Sequence, residues 1–163
     1  MKNLIKNPLL EELINNLSNC IIICDAEGNF VLWNTAAKNV VGVEYKISST
    51  GMWQKYYAAV RMDGTAYSDH EYPIMRSVLT GEVIRKERIL INNRINNNHA
   101  YLEVDAFPVR DKDKNIIAGV CSFMDVTNNV KMEEMINEFE VKIGHIRQLL
   151  INSSMNELLT LNQ

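Results

Sequence analysis

The chain has 163 residues, a net charge of −3, 47% apolar residues and 23% charged ones. That is the length of one domain with a single sizeable core and the composition of an ordinary soluble protein. Its 17 Lys and Arg are scattered, which excludes the clustered basic footprint of a nucleic-acid-binding protein. No apolar run is long enough to span a bilayer, and residues 1–8 are not followed by the apolar core of a signal peptide, so a cytoplasmic location is expected. The three cysteines, Cys20, Cys24 and Cys121, are an odd count and read as small buried hydrophobes on strands.

Residues 8–17 read as a short amphipathic helix, with Pro8 in its first turn, Glu11 and Glu12 where the dipole favours them, and Leu10, Leu13, Ile14 and Leu17 on one face. Residues 20–25 and 30–33 are apolar runs flanking the turn Ala26-Glu27-Gly28-Asn29, the pattern of a hairpin. Asn34 can cap a helix over residues 35–41 that Gly42 stops. A second helix is expected over residues 52–60. A third opens at Pro73 and closes at Gly81, after the turn Asp63-Gly64-Thr65.

Residues 83–91 alternate in strand fashion, and Asn92 to Asn98 form a polar loop. Residues 101–107 alternate cleanly, with Leu102, Val104 and Ala106 on one side, and Pro108 is expected to end that strand. The charged turn Asp111-Lys112-Asp113-Lys114-Asn115 leads into an apolar strand over residues 116–124. After Asp125-Val126-Thr127 the period changes. Met132, Ile136, Phe139, Ile143, Ile146 and Leu150 are spaced four, three, four, three, four, a heptad seam on a long helix that Thr127 or Asp125 can cap. The seam suits either a partner chain or the helix's own domain. Asn152-Ser153-Ser154 reads as a break before a short amphipathic tail. Strands at both ends around a helical middle imply an α+β fold with an antiparallel sheet.

Asp25-Ala26-Glu27-Gly28-Asn29 through Trp33-Asn34-Thr35-Ala36-Ala37 resembles the opening signature of PAS domains: strand, D-x-x-G, strand, then Asn and small residues starting a helix. Asp63-Gly64-Thr65 through Pro73, Arg76, Leu79, Gly81 and Glu82 resembles the middle of a large bacterial PAS subgroup. Phe107-Pro108-Val109, then Gly119 to Asp125-Val126-Thr127 with Lys131, Glu133 and Glu134, resembles the family's last strands and its closing D-[IV]-T. The four pieces run in order over about residues 18–134.

The resemblance implies a five-stranded antiparallel sheet with short helices on one face. It also implies a cleft for a small organic molecule, haem or flavin, and flanking helices that dimerise and speak to an output protein such as a kinase or regulator. The expected organisation is a cap helix over 1–17, a sensor domain over 18–128 and a signalling helix with tail over 129–163. Such a chain is a sensor, not an enzyme. The dimer would use Leu10, Leu13, Ile14 and Leu17 together with Met132, Ile136, Phe139 and Ile143, and Asp125 and Thr127 would carry the signal out of the sheet.

Met52, Trp53, Tyr57 and Met75 fall on the helices that line the family's cleft, although core filling is the commoner fate of such residues at helical spacing. His70 stands near the position of the haem ligand in oxygen-sensing PAS domains, with Arg76 six residues on, but Pro73 departs from that pattern; the other reading is a surface His before a helix. The Asn-Cys-Arg-Phe-type run of photoactive flavin domains is missing, so cysteinyl-flavin chemistry is not expected. His145 lies on the long helix, as a kinase phosphoacceptor would in the sensor fragment of a histidine kinase, but lacks the acidic residue and proline that follow such a His. His99 falls in a polar turn. No P-loop, nucleophile elbow or metal-spaced Cys/His set is found.

Overall fold

Three short carboxylates shape the turns of the sheet. Asp25 Oδ1 accepts the N–H groups of Glu27 at 3.1 Å and Asn29 at 2.8 Å, and Gly28 takes φ 84°. Asp111 Oδ1 does the same for Asp113 and Asn115, both at 2.9 Å. Asp63 Oδ1 receives the Thr65 N–H at 2.9 Å, next to Gly64 at φ 85°. Each side chain mimics a backbone acceptor and folds the chain back on itself.

A computed structural model describes residues 7–41, 58–93 and 98–161. The elements are α1 (Pro8–Asn15), β1 (Cys20–Asp25), β2 (Phe30–Trp33), α2 (Thr35–Val41), β3 (Val60–Arg61), a 3-10 turn (Asp69–Glu71), α3 (Pro73–Thr80), β4 (Ile84–Asn93), β5 (Asn98–Arg110), β6 (Ile116–Asp125) and α4 (Thr127–Leu161). The strands form one antiparallel sheet in the order β2-β1-β6-β5-β4-β3. The chain divides into two compact units, Met1–Val126 and Thr127–Gln163.

The α+β class is as expected, with six strands among the described residues where five were expected. The added β3 pairs only Val60 with Leu90 and Arg61 with Ile89, too short for a period to be read. It also corrects the end of the helix expected over residues 52–60. Ala59 accepts the Tyr67 N–H at 3.1 Å and gives its own N–H to the Tyr72 hydroxyl at 3.4 Å, and Ala58 stands at φ 41°. Residues 52–57 and Gly42 lie outside the described residues.

Alternation holds along β5, where Ala100, Leu102, Val104 and Ala106 are all buried. Pro108 does not end that strand; it pairs with Gly119. Pairing with β4 stops at Ala106, so beyond it β5 has one neighbour, and proline is tolerated on such an edge.

In β4 the expected alternation breaks. Between Ile84 and Glu87 the strand carries one residue more than β5 opposite it, Lys86 sits at φ 51°, and its N–H is taken by Asp105 Oδ1 at 2.9 Å. This bulge brings Glu87 opposite the core residue Val104.

Asn34 locks the N-terminal elements together. It is fully buried. Its Oδ1 accepts from Ala37 N, capping α2, and from Ile21 N, each at 2.9 Å. Its Nδ2 donates to Asn19 O at 2.8 Å and Ile14 O at 3.1 Å. The α1 helix contains no fully buried residue, so this amide and Asn15, whose Oδ1 accepts from Thr35 N at 3.2 Å, help hold it.

Helix α3 starts with Pro73 at its first position and ends at Gly81, φ 76°, as the sequence predicts. Ile74, Met75, Ser77 and Val78 are buried. The helix meets β6 at Gly119, where a Cβ would stand 2.6 Å from Val78 Cγ2, 3.1 Å from Cys24 Sγ and 3.3 Å from Ile74 Cγ1. Before the helix, Glu71 accepts from Ser68 N and Ser68 Oγ, both at 2.8 Å, and pairs with Arg61 at 2.9 Å. Those bonds hold its carboxyl down to about 2.

In the second unit α4 runs unbroken for 35 residues, about 52 Å at 1.5 Å per residue. The break expected at Asn152-Ser153-Ser154 does not occur. Asn and Ser cost a helix only tenths of a kcal/mol each, unlike Gly or Pro.

Three outcomes follow from this packing. Replacing Asn34 with Asp keeps the cap but turns an oxygen toward the carbonyls of Ile14 and Asn19; it should lower stability by about 3 kcal/mol in urea unfolding, and wild-type stability would contradict the bonding described. Gly119→Ala should cost about 1–3 kcal/mol and distinctly less in a Val78→Ala background. The stability difference between wild type and Glu71→Gln should be fully present above pH 4.5 and fade as pH falls toward about 2, because the depressed carboxyl then takes up its proton in both folded and unfolded chains; a difference that persists unchanged through that window would refute it.

Candidate functional site: an apolar cavity under the sheet

The inward-facing side chains of the sheet leave a space beneath α2 and the start of α3. Ile22, Phe30 and Trp33 form one side of it, Ile89, Ile91, Leu102 and Val104 another, and Cys121 and Phe123 the floor between them. Val41, Tyr72, Pro73 and Ile74 complete the lining among the described residues. The cavity measures about 70 Å³, and no polar atom of the described residues reaches its surface. Phe30 and Trp33 meet edge to face, with centroids 5.0 Å apart and planes at 80°, a favoured arrangement for two rings.

A belt of charge borders this wall. Tyr72 packs against Tyr67 with centroids 5.6 Å apart. Tyr67 donates its hydroxyl proton to Glu87 Oε1 at 2.7 Å, and Arg61 lies 4.1 Å over the Tyr67 ring. Glu87 also pairs with Arg76, whose Nε stands 3.4 Å from Glu82. Burial, and then the Glu87 carboxylate, push the Tyr67 hydroxyl well above the usual phenol range, so it stays a proton donor at any working pH. The bulge at Lys86 brings Glu87 into this belt.

The cysteines lie on the inner face of β1 and β6. Burial pushes the Cys20 thiol up to about 11 and the Cys24 thiol to about 12, and raises Cys121 further. Thiols so shifted are protonated and poor nucleophiles.

Of the residues singled out from the sequence, Met75 is buried in the core but is not part of the cavity lining. Met52, Trp53 and Tyr57 lie outside the described residues. His70 is exposed in the 3-10 turn. His99, expected in a polar turn, is exposed within β5 and stands 2.5 Å from Asn92 Oδ1. His145 is exposed on α4. Tyr72, Phe30 and Trp33 were not expected in the lining. Phe30 and Trp33 are three residues apart and share a face only because the register shifts between Ile23 and Cys24 opposite them, and Tyr72 lies outside the strands, so period-2 alternation does not bring the three together.

The lining does not fit a haem. Among the described residues the lining contains no His, burial holds the proton on its Cys121 thiol, and the space of about 70 Å³ is far below the several hundred Å³ of a cofactor pocket. No group of three or more His, Cys, Asp or Glu among the described residues could hold a metal. No helix of the described residues is long and apolar enough to cross a membrane.

Comparison with known proteins agrees with this geometry at the level of fold. The structure resembles an RNA-binding light-oxygen-voltage receptor (TM-score 0.60, 17% identity, 85% of this chain and 38% of that one). It also resembles the PAS domain of nitrogen regulation protein NR(II) from Vibrio parahaemolyticus (0.51, 13%, 73% and 99%). A third likeness is the PAS domain of the fruit-fly ELK potassium channel (0.54, 10%, 73% and 95%). The chain thus spans less than half the length of the first of these. No curated protein sequence matches. The PAS domain family matches residues 18–128; with the sheet order, the helices over its inner face and the cavity between them, the chain belongs to the PAS domain family, whose members serve as sensory modules.

Proposed function

We propose that this chain is a sensory module of a bacterial signalling pathway that works as a homodimer. In this reading the cavity or a partner protein biases the sheet, Asp125 and Thr127 pass the bias to α4, and a kinase or regulator reads it. The domain organisation follows: a cap helix over 1–17, the sensor over 18–128 and a signalling helix over 129–163.

One observation carries the proposal. A single residue, Val126, separates β6 from α4, and its N–H is bonded to Tyr101 O at 2.8 Å. A strand that is followed by a helix after one residue can pass a shift of the sheet to that helix. The helix itself supports pairing with a second copy. Along the heptad seam Met132 is 65% exposed, Ile136 52%, Phe139 58% and Ile143 49%. Each such side chain would gain about 1.5–3 kcal/mol on full burial, and the four-three spacing matches a facing copy of itself. Leu13 and Leu17 of the first unit are exposed as well, with Leu10 and Ile14 half-buried. The proposed dimer uses these four residues as well.

Sedimentation of the intact protein at micromolar concentration should give a dimer. Replacing both Ile136 and Phe139 with Glu should weaken it at least about 100-fold, since two charges per chain would enter the seam. A wild-type monomer, or a double variant that dimerises as before, would overturn the proposal.

A further inference from the structure

We infer that two copies of α4 pair antiparallel, crossing at Val141; this deepens the dimer reading above and rests on it. The exposed apolar seam has ends that the sequence sets. Asn129 and Ser153 occupy the seam positions before and after it, so it runs from Met132 to Leu150. Ile136, Ile143 and Leu150 stand at the first heptad position, a, and Met132, Phe139 and Ile146 at the fourth, d. An antiparallel pair sets each a residue against a d residue of its partner. One alignment uses the whole seam of both copies: Met132 against Leu150, Ile136 against Ile146, and Phe139 against Ile143.

The flanks of the seam decide between this pair and a parallel one. Charge is divided along α4. From Met132 to Val141 it has Glu133, Glu134, Glu138 and Glu140 and no Lys or Arg; from Lys142 to Ile151 it has Lys142 and Arg147 and no Asp or Glu. The helix dipole does not account for this division, because its effect fades beyond the first and last turns and these residues lie in the interior of a helix that runs from Thr127 to Leu161. In a parallel pair the flanking g residues face the partner's e residues. Lys142 would meet Arg147, and Met135 would meet Glu140, on both sides of the pair. In the antiparallel alignment e faces e and g faces g. Glu133 then meets Arg147 on both sides, and Met135 meets Leu149, two apolar residues that stand exposed outside the seam. The cost is one contact between the two copies of Glu140 and one between the two copies of Lys142. Glu138, 3.8 Å from Lys142 on the same helix, eases the second. Ile146 at d points the same way, since a parallel pair with Ile at a favours Leu there.

Sedimentation equilibrium of the full chain at low salt tests the direction, because one substitution has opposite signs in the two arrangements. Arg147→Glu places a carboxylate against the partner's Glu133 in the antiparallel pair and should weaken the dimer about tenfold. In a parallel pair it removes the clash with Lys142 and tightens the dimer. Glu133→Arg should weaken the dimer as well, and both changes in one chain should restore the affinity to within about threefold of wild type. Neither residue has a charged neighbour three or four positions away on its own helix, so the substitutions break no pair within α4. A tighter or unchanged dimer with Arg147→Glu overturns the inference and leaves the homodimer standing. So does a double variant as weak as the single ones. A wild-type monomer overturns the homodimer and the inference together.

Discussion

One side-chain amide, that of Asn34, holds the N-terminal half of the domain in register. Its oxygen serves two backbone donors and its nitrogen serves carbonyls from α1 and the segment after it. A buried amide is costly unless all its bonds are made, so the elements it joins are fixed together or not at all. The consequence reaches the site. With β1 and α2 placed by the same group, Ile22, Trp33 and Val41 converge on one space.

The opposite wall is governed by packing distance. Gly119 lets α3 lie against β6 with no side chain between them, and the fully buried Ser77 satisfies its hydroxyl on Pro73 O at 3.1 Å. The helix thereby brings Pro73 and Ile74 to the cavity and presents Arg76 to Glu87. An apolar interior and a charged border thus share one short helix. Their division follows from helical periodicity: Ile74 and Val78 on one side, Arg76 on another.

Much of this was legible in the sequence because it depends on local chemistry. The Asp-led turns, Asn34 at the head of α2, and Pro73 and Gly81 at the ends of α3 are each set by a side chain acting within a few residues. So is the inward set Leu102, Val104 and Ala106 on β5. The α+β class and the family signature follow from the order of such pieces. What escaped depends on neighbours distant in sequence. The bulge at Lys86 needs Asp105 from the next strand. The continuation of β5 through Pro108 depends on where β4 stops. The strand at Val60 forms because Ala59 is bonded to Tyr67 and Tyr72. The seam on α4 was readable as a period, while the continuity of that helix past Asn152 rests on the absence of a strong breaker rather than on any positive mark. For the site, hydrophobic alternation identified inward residues but carries no information on how closely opposing walls approach.

The three sulfhydryls offer a consequence of a different kind. Cys20, Cys24 and Cys121 are buried on adjacent strands with their protons firmly held, while α1 and α4 contain no cysteine. Cys121 lies in the cavity floor, whereas an alkylating reagent reaches Cys24 in the moments when β1 parts from its neighbours or from α3. The chain contains its own stopwatch for the breathing of the central strands, readable by mass without adding a label elsewhere.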